Sequence, residues 1–162
     1  MIFVALGTQK FQMNRLVKAI NKQKQKGLIK DKIFAQIGKS NYTPKNFEFK
    51  FFINGTEFNE KIENSDIVIT HSGVSTTIKA LKLGKKVIFI PRLAKYGEHV
   101  DDHQMEIAET FFKLNYVFMV SNTNEFYKKI KEVKTHKFNL YISGNEKMIS
   151  TIEDFIMNGS KK

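Results

Sequence analysis

The sequence predicts an α/β protein built on a single doubly wound, mostly parallel sheet. Short apolar runs alternate with amphipathic segments along all 162 residues. Several of the apolar runs stop at a glycine, as at Gly7 and Gly38, which is typical of strands that lead into tight turns. No internal repeat or linker interrupts the alternation, and the length suits one domain over residues 1–162. Strands that alternate with helices imply parallel crossover units, so the expected architecture is Rossmann-like.

Six segments are predicted to be strands. Five of them are short and almost continuously apolar, as strands buried on both faces of a parallel sheet are. The third, NFEFKFFI, instead alternates apolar and polar residues, which is the period of a half-buried strand. In chain order the predicted strands are residues 2–6, 32–38, 46–53, 66–70, 87–91 and 115–120.

Six further segments are predicted to be helices. The first places Leu16, Val17 and Ile20 at helical spacing, and the second places Phe58 and Ile62 four residues apart. The third is followed by a glycine at the position past its C-terminus, where a left-handed residue commonly ends a helix. In chain order they cover residues 11–23, 56–65, 74–83, about 101–114, 123–133 and 145–157.

Composition limits the possible classes of protein. The chain has no cysteine, which excludes disulfides and thiolate metal sites. Its net charge of +11 favours anionic partners such as nucleic acid, anionic lipid or phosphorylated ligands. No segment approaches the roughly 18 apolar residues that span a bilayer, and the N-terminus lacks the features of a signal peptide. We therefore expect a cytoplasmic protein that could still contact a membrane surface.

Ligands of doubly wound sheets bind beyond the carboxyl ends of the strands. This rule selects four loops, which we expect to converge on one edge of the sheet. They are Gly7-Thr8, residues 36–38, residues 71–73 and the polar loop after Pro91.

The stretch THSGVSTTIKALKLG (70–84) is the strongest candidate for a binding site. Gly73 lets the backbone turn tightly, and Ser75 and Thr76 lie at a helix start, where free N–H groups attract anions. A phosphate or diphosphate is the natural ligand of such a turn. The alternative is ordinary N-capping by hydroxyl side chains. The stretch is neither the dinucleotide fingerprint nor a Walker loop.

The stretch LGTQKF (6–11) resembles a second phosphate contact, because Thr8 and nearby N–H groups follow a strand and precede a helix. The alternative is a simple connecting turn.

A third stretch, KYGEHVDDHQ (95–104), is crowded with polar side chains. Four of them are consecutive and would point in different directions on a helix, so no metal site is predicted. Such a cluster at a strand end suits recognition of sugar hydroxyls, and Asp101 or Asp102 could cap the following helix. The polar residues are Glu98, His99, Asp101, Asp102, His103 and Gln104.

Two other functions have weaker support. A serine hydrolase is disfavoured because the chain has no nucleophile-elbow motif. A nucleic-acid-binding module would rest on net charge alone, because no motif of basic and aromatic residues is present, and we expect no nucleic-acid partner.

Taken together, four stretches resemble the nucleotide-sugar-binding half of GT-B glycosyltransferases of family 28. The similarity is greatest to the small subunits of two-polypeptide transferases that build bacterial capsular polysaccharides and exopolysaccharides. The eukaryotic small subunit of the dolichol-linked UDP-N-acetylglucosamine transferase is a more distant relative. The stretches are residues 2–17, 35–40, 65–92 and 96–108.

The resemblance implies that this chain is the C-terminal domain of a GT-B fold and binds a UDP-sugar as donor substrate, with neither cofactor nor metal. It further implies a separate membrane-anchored subunit that holds a polyprenol-linked acceptor, and so a location at the inner face of the plasma membrane. The implied reaction is an inverting hexosyl transfer. The alternative is a non-catalytic activator that docks on a membrane-anchored transferase.

The resemblance also implies roles for particular residues. Diphosphate contacts fall to Gly7, Thr8, His71, Ser72, Gly73, Ser75 and Thr76, sugar contacts to Asp102, His103 and Gln104, and uracil contacts to Gln36 and Gly38. The catalytic base is expected from the partner subunit, and the candidates within this chain are His71, Glu98 and His99.

Lys79 departs from the family pattern. Much of the family has a glutamate at this position, whose carboxylate accepts hydrogen bonds from both ribose hydroxyls. An ammonium group has three donors and no acceptor, so Lys79 cannot make that contact. Either another acceptor such as Glu98 replaces it, or Lys79 helps to neutralise the diphosphate, or the donor site is weakened.

Overall fold

The structure, a computed structural model, describes residues 1–142. Its strands are β1 (Ile2–Ala5), β2 (Ile33–Gln36), β3 (Glu48–Lys50), β4 (Ile67–Thr70), β5 (Lys86–Phe89) and β6 (Phe118–Met119). Its helices are α1 (Asn14–Gln25), α2 (Gly55–Glu63), α3 (Val74–Lys82), α4 (His103–Lys113) and α5 (Phe126–Thr135). Short 3₁₀ turns cover Ala94–Tyr96 and Thr123–Glu125.

The six strands form one sheet in the order β3-β2-β1-β4-β5-β6. Every pairing between neighbouring strands is parallel. The predicted α/β fold with a doubly wound parallel sheet is therefore confirmed. The predicted helix at 145–157 lies outside the described residues.

Some elements are shorter than the sequence pattern predicted. The segment 46–53 contributes only three residues to the sheet, because β3 pairs with β2 alone and β2 stops before Gly38 turns the chain away. Phe51 and Phe52 follow β3 as exposed residues. Helix α1 begins at Asn14 rather than at residue 11, because residues 7–13 form a loop across the sheet edge.

Helices cover both faces of the sheet, and successive strand residues point to opposite faces. On one face, α1 and α5 pack on side chains such as Val4 and Ile69. On the other face, α2, α3 and α4 pack on side chains such as Phe3 and Phe89. Both layers bury aliphatic and aromatic side chains almost completely.

Strand β1 pairs with β2 on one side and with β4 on the other, so the strand order reverses direction around it. Crevices at such a reversal are where doubly wound sheets bind ligands. Ala5 pairs with both Gln36 and Thr70, and Thr70 pairs with Phe89, so these four strands end at one level. The loops that follow them therefore meet at a common edge.

No helix within residues 1–142 combines the length and the hydrophobicity needed to cross a membrane.

Candidate functional site at the carboxyl edge of the sheet

The loops after β1 and β4 touch through two glycines and a histidine. Gly7 has a φ of +73°, and a Cβ at this position would lie 2.7 Å from Nε2 of His71. A Cβ on Gly73 would lie 3.3 Å from the same nitrogen. The two glycines therefore leave room for the imidazole between them. The structure thus places Gly7, His71 and Gly73 side by side, while Thr8 next to them is exposed to solvent.

Gln104, at the start of α4, holds the imidazole of His71. Its side-chain oxygen Oε1 lies 3.2 Å from Nδ1 of His71 and accepts a 3.3 Å hydrogen bond from the backbone N–H of Arg92. A backbone N–H can only donate, so the group that faces Arg92 is the amide oxygen. Nδ1 of His71 must then carry the proton, which leaves a lone pair on Nε2.

Burial, and then the positive charge of Arg92, lower the pKa of His71 to about 4. The ring is therefore neutral at pH 7. A buried neutral imidazole would gain a proton more easily if a diphosphate lay nearby, because an adjacent negative charge favours the charged form.

This pKa predicts a pH-dependent stability. Folding depresses the pKa of His71 from its ordinary 6.5 to about 4, so between these values the unfolded chain binds more protons. The contribution of neutral His71 to the free energy of unfolding is complete above pH 6.5. As the pH falls toward 4, the free energy of unfolding decreases by about 3 kcal/mol. Urea denaturation of the wild type and of His71→Gln at several pH values measures it. The variant should show a shallower slope in this window; equal slopes would contradict the buried neutral imidazole.

Helix α3 starts beside His71 without a side-chain cap. Its N-cap residue is Gly73, which has no side chain to satisfy the N–H groups of the first turn. Ser75 is exposed and Thr76 partly exposed within that turn, whereas Thr77 donates its hydroxyl to the carbonyl of Gly73. Uncapped N–H groups and the positive end of the helix dipole make this helix start suitable for an anion.

Two hydroxyls at the end of β4 are buried without a hydrogen-bond partner among the described residues. They are Oγ1 of Thr70 and Oγ of Ser72. Ser72 also has a φ of +74°, a left-handed conformation that is uncommon for serine. Unpaired buried polar groups and backbone strain both concentrate at binding sites. The unpaired hydroxyls and the left-handed backbone of this turn are therefore features typical of a binding site rather than of ordinary packing.

The loop after β2 supports the β1 loop. Gln36 is buried and its side chain lies between the carbonyl of Gly7, at 3.5 Å, and the N–H of Ile53, at 3.2 Å. Gly38 has a φ of +58°, and a Cβ there would lie 2.6 Å from the carbonyl oxygen of Gly7. For Gln36, these contacts argue for a structural role rather than for reading a uracil edge.

Glu98 was predicted as a possible ribose acceptor and as a candidate base, and the structure corrects both interpretations because neither oxygen is available. Its side chain is fully buried, and Oε2 lies 2.9 Å from Nη2 of Arg15. The same oxygen accepts a 3.2 Å hydrogen bond from the N–H of Leu93, while Oε1 accepts from Nε of Arg15. Both oxygens are therefore committed to holding the loop after β5 against α1.

Arg92, which the sequence pattern did not identify, ties the edge loops together. Its guanidinium is buried and donates to the carbonyls of Leu6 at 2.6 Å, Gln12 at 3.0 Å and Phe11 at 3.1 Å. It also donates to the carbonyl of Glu98 at 3.1 Å. The only hint in the sequence is a lone arginine directly after the apolar strand that ends at Pro91.

The remaining polar residues of the loop before α4 mostly bond to one another. His99 lies 3.0 Å from the Asp101 carboxylate, which also accepts from the N–H of His103, the main cause of its lowered pKa. Asp102 accepts from the N–H of Ala94 at 2.8 Å. Within residues 1–142 no three acidic or histidine side chains come close enough to hold a metal ion. Asp102 therefore shapes the loop, whereas Gln104 contacts His71.

Lys79 lies on α3, where its ammonium group donates to the side-chain oxygen of Asn59 on α2. The side chain is partly buried between the two helices. In this position it acts as a donor only, as its chemistry requires.

These observations define a class of protein. A doubly wound parallel sheet with a histidine, two close-packed glycines and an uncapped helix start at its switch point is an arrangement typical of nucleotide-binding domains. Residues 1–158 match the glycosyltransferase family 28 C-terminal domain, and the chain belongs to this family.

Several relatives carry the same name, UDP-N-acetylglucosamine transferase subunit ALG13. The chain is 38% identical to the one from Candida albicans over 74 residues, covering 46% of this chain and 24% of the relative. It is 27% identical to the one from Yarrowia lipolytica, covering 68% and 57%. The human one is 25% identical, covering 72% and 11%. The chain thus spans less than two thirds of each. These are the eukaryotic subunits that were expected to be the more distant relatives, and none of the three is a bacterial capsular subunit.

Solved structures support the fold. The glycotransferase of kitacinnamycin superimposes with a TM-score of 0.63 at 16% identity, over 83% of this chain and 35% of that chain. MurG of Acinetobacter baumannii gives 0.53 at 18% identity, over 82% and 41%. At these identities the likeness concerns the fold alone, and it places this chain on about one third to two fifths of each larger protein.

Proposed function

We propose that this chain is the UDP-sugar-binding subunit of a two-component glycosyltransferase that transfers a hexose to a polyprenol-diphosphate-linked acceptor. One observation carries the proposal: the uncapped start of α3 lies beside His71 and Gly7 at the switch point of the sheet. Family membership supports the reaction class.

In this proposal the diphosphate of the donor lies over the start of α3. The N–H groups of its first turn and the hydroxyls of Ser75 and Thr76 donate to the UDP leaving group as its negative charge develops. His71 gains a proton as the diphosphate approaches and adds a further donor. The helix end replaces a metal ion, and no cofactor takes part. The base that activates the acceptor comes from the partner, and the transfer inverts the anomeric centre.

The names of the relatives favour one sugar. Because they are UDP-N-acetylglucosamine transferase subunits, UDP-N-acetylglucosamine is the first donor to test. The proposed use of the product in capsule or exopolysaccharide synthesis rests on the sequence resemblance, and these relatives do not support it.

The partner is proposed to be a membrane-anchored subunit that binds the acceptor. Support comes from the relatives, which are named as subunits of a UDP-N-acetylglucosamine transferase. Such a partner would hold this protein at the inner face of the plasma membrane.

A second candidate function is a non-catalytic activator of a membrane-anchored transferase. The observation that favours it is Lys79, which donates to Asn59 and offers no acceptor to a ribose. Absence of UDP binding, alone and with the partner, would decide for this function.

The experiment is a calorimetric titration of UDP into the wild type and Ser75→Asp. A carboxylate at the second residue of α3 favours the helix dipole, so the fold should keep its stability or gain up to about 1 kcal/mol. The same carboxylate occupies the proposed diphosphate position, and we expect UDP affinity to fall about tenfold or more by charge repulsion.

The matched control is Thr56→Asp at the second residue of α2. Thr56 is also exposed, but the start of α2 is already capped by the side chain of Asn54. This variant should bind UDP like the wild type. Equal affinities for all three proteins would show that the start of α3 is not the diphosphate site.

A further inference from the structure

The positive charge of the protein is divided unequally between the two helix layers. The layer of α2, α3 and α4 has four lysines and five glutamates. Helices α1 and α5 carry seven lysines and one glutamate, Glu132, and Arg15 of α1 pairs with Glu98. The lysines of this second layer are Lys18, Lys22, Lys24, Lys128, Lys129, Lys131 and Lys134.

Helix geometry turns most of these charges outward. The side chains of α1 and α5 that face the sheet are buried and mainly apolar, among them Ile20 and Ile130. Lys18 and Lys22 lie one turn apart on the opposite side of α1 and are exposed, as is Lys131 on α5. We call this outward surface, formed by the exposed residues of α1 and α5, the α1/α5 face.

Local contacts remove only part of this charge. Lys129 pairs with Glu132, and Lys134 pairs with Asp31. The ammonium groups of Lys18 and Lys131 lie over the rings of Tyr42 and Tyr127, which orient a cation without neutralising it. The α1/α5 face therefore keeps a net positive charge that the opposite layer lacks.

The composition of this face favours a lipid surface over other anions. Its cations are lysines, which act as point charges, whereas specific recognition of nucleic acid relies on arginine and stacked aromatic rings. A protein partner would need apolar anchors, and the exposed large hydrophobic residues of the described chain lie elsewhere. Lysines on a surface helix need only the diffuse negative potential of anionic headgroups.

We propose that the α1/α5 face binds directly to the surface of membranes that contain anionic lipids. Since α1 and α5 lie flat on the sheet, this contact sets the sheet parallel to the membrane. The carboxyl edge, with Gly7 and His71, then opens along the lipid surface. The inference does not depend on the proposed transferase function.

The test is co-sedimentation of the full chain with vesicles. One set is pure phosphatidylcholine, and the other is an equimolar mixture of phosphatidylcholine and phosphatidylglycerol. The face variant carries Lys18→Gln, Lys22→Gln and Lys131→Gln. The matched control carries Lys61→Gln, Lys82→Gln and Lys113→Gln, one on each helix of the opposite layer. Both variants lose three charges, and thermal melts check that both remain folded.

We expect the wild type to bind only the anionic vesicles, and less strongly as salt is raised. The face variant should partition at least about tenfold less, and the control should stay within about twofold of the wild type. If both variants lost vesicle binding equally, the binding would depend on net charge rather than on the α1/α5 face, and the proposal would be overturned. Wild-type protein that ignores anionic vesicles but binds a homopolymeric RNA at physiological salt would also overturn it, in favour of nucleic acid.

Discussion

Replacing Arg92 by methionine is expected to lower the free energy of unfolding by about 3 kcal/mol or more. Arg92 is 1% exposed, and its guanidinium donates to four backbone carbonyls in the loops after β1 and β5. Methionine fills a similar volume but leaves those carbonyls buried without a donor. Denaturation in urea measures the loss.

The control is Lys95→Met in the same loop. Lys95 is exposed and its ammonium group lies over the ring of Tyr96, so its replacement should change stability by less than about 0.5 kcal/mol. Hydrogen exchange of residues 7–12 should speed up in Arg92→Met and stay unchanged in Lys95→Met. If the two variants proved equally stable, Arg92 would not hold these loops.

Alanine at Gly38 is expected to destabilise the protein by roughly 3 kcal/mol. A left-handed backbone costs alanine about 1–2 kcal/mol, and forcing a methyl group into a packed site adds about 1–3 kcal/mol. The added Cβ would lie 2.6 Å from a backbone oxygen, that of Gly7, which no rotamer change can relieve. The shift should also displace the β1 loop at the candidate site.

Gly27→Ala separates the cost of the left-handed backbone from the cost of the steric clash. Gly27 has a φ of +68°, close to that of Gly38 at +58°, but a Cβ there meets nothing within 4 Å. Its replacement should therefore cost only the conformational part, about 1–2 kcal/mol. If Gly38→Ala and Gly27→Ala lost the same amount of stability, the loop after β1 would move to accommodate the methyl group without further cost.

Secondary structure was largely predictable because it depends on local patterns. Apolar runs that end at Gly7 and Gly38 gave two of the strands, and helical spacing of Leu16, Val17 and Ile20 gave α1. The prediction failed where pairing overrode pattern. NFEFKFFI has the alternation of an eight-residue strand, yet only Glu48–Lys50 finds a partner in β2.

The convergence of the edge loops was predictable, but the contacts of their polar residues were less so. The rule that ligands bind beyond parallel strand ends selected the loops of Gly7 and His71, and the structure brings these residues into contact. Glu98, in contrast, looked like a free acceptor in a polar loop, whereas it is buried against Arg15. A carboxylate's partner that lies 83 residues away in the sequence leaves no local signal.

The fold class, the family resemblance and a helix start that suits an anion could all be predicted from residue types and short spacings. The neutral state of His71, with its proton on Nδ1, could not be predicted in this way, because it depends on burial and on contacts with Gln104 and Arg92 from distant parts of the chain. The positions of the lysines also depend on the folded arrangement. Net charge is a property of composition, but its division between two helix layers follows from which face of the sheet each helix covers.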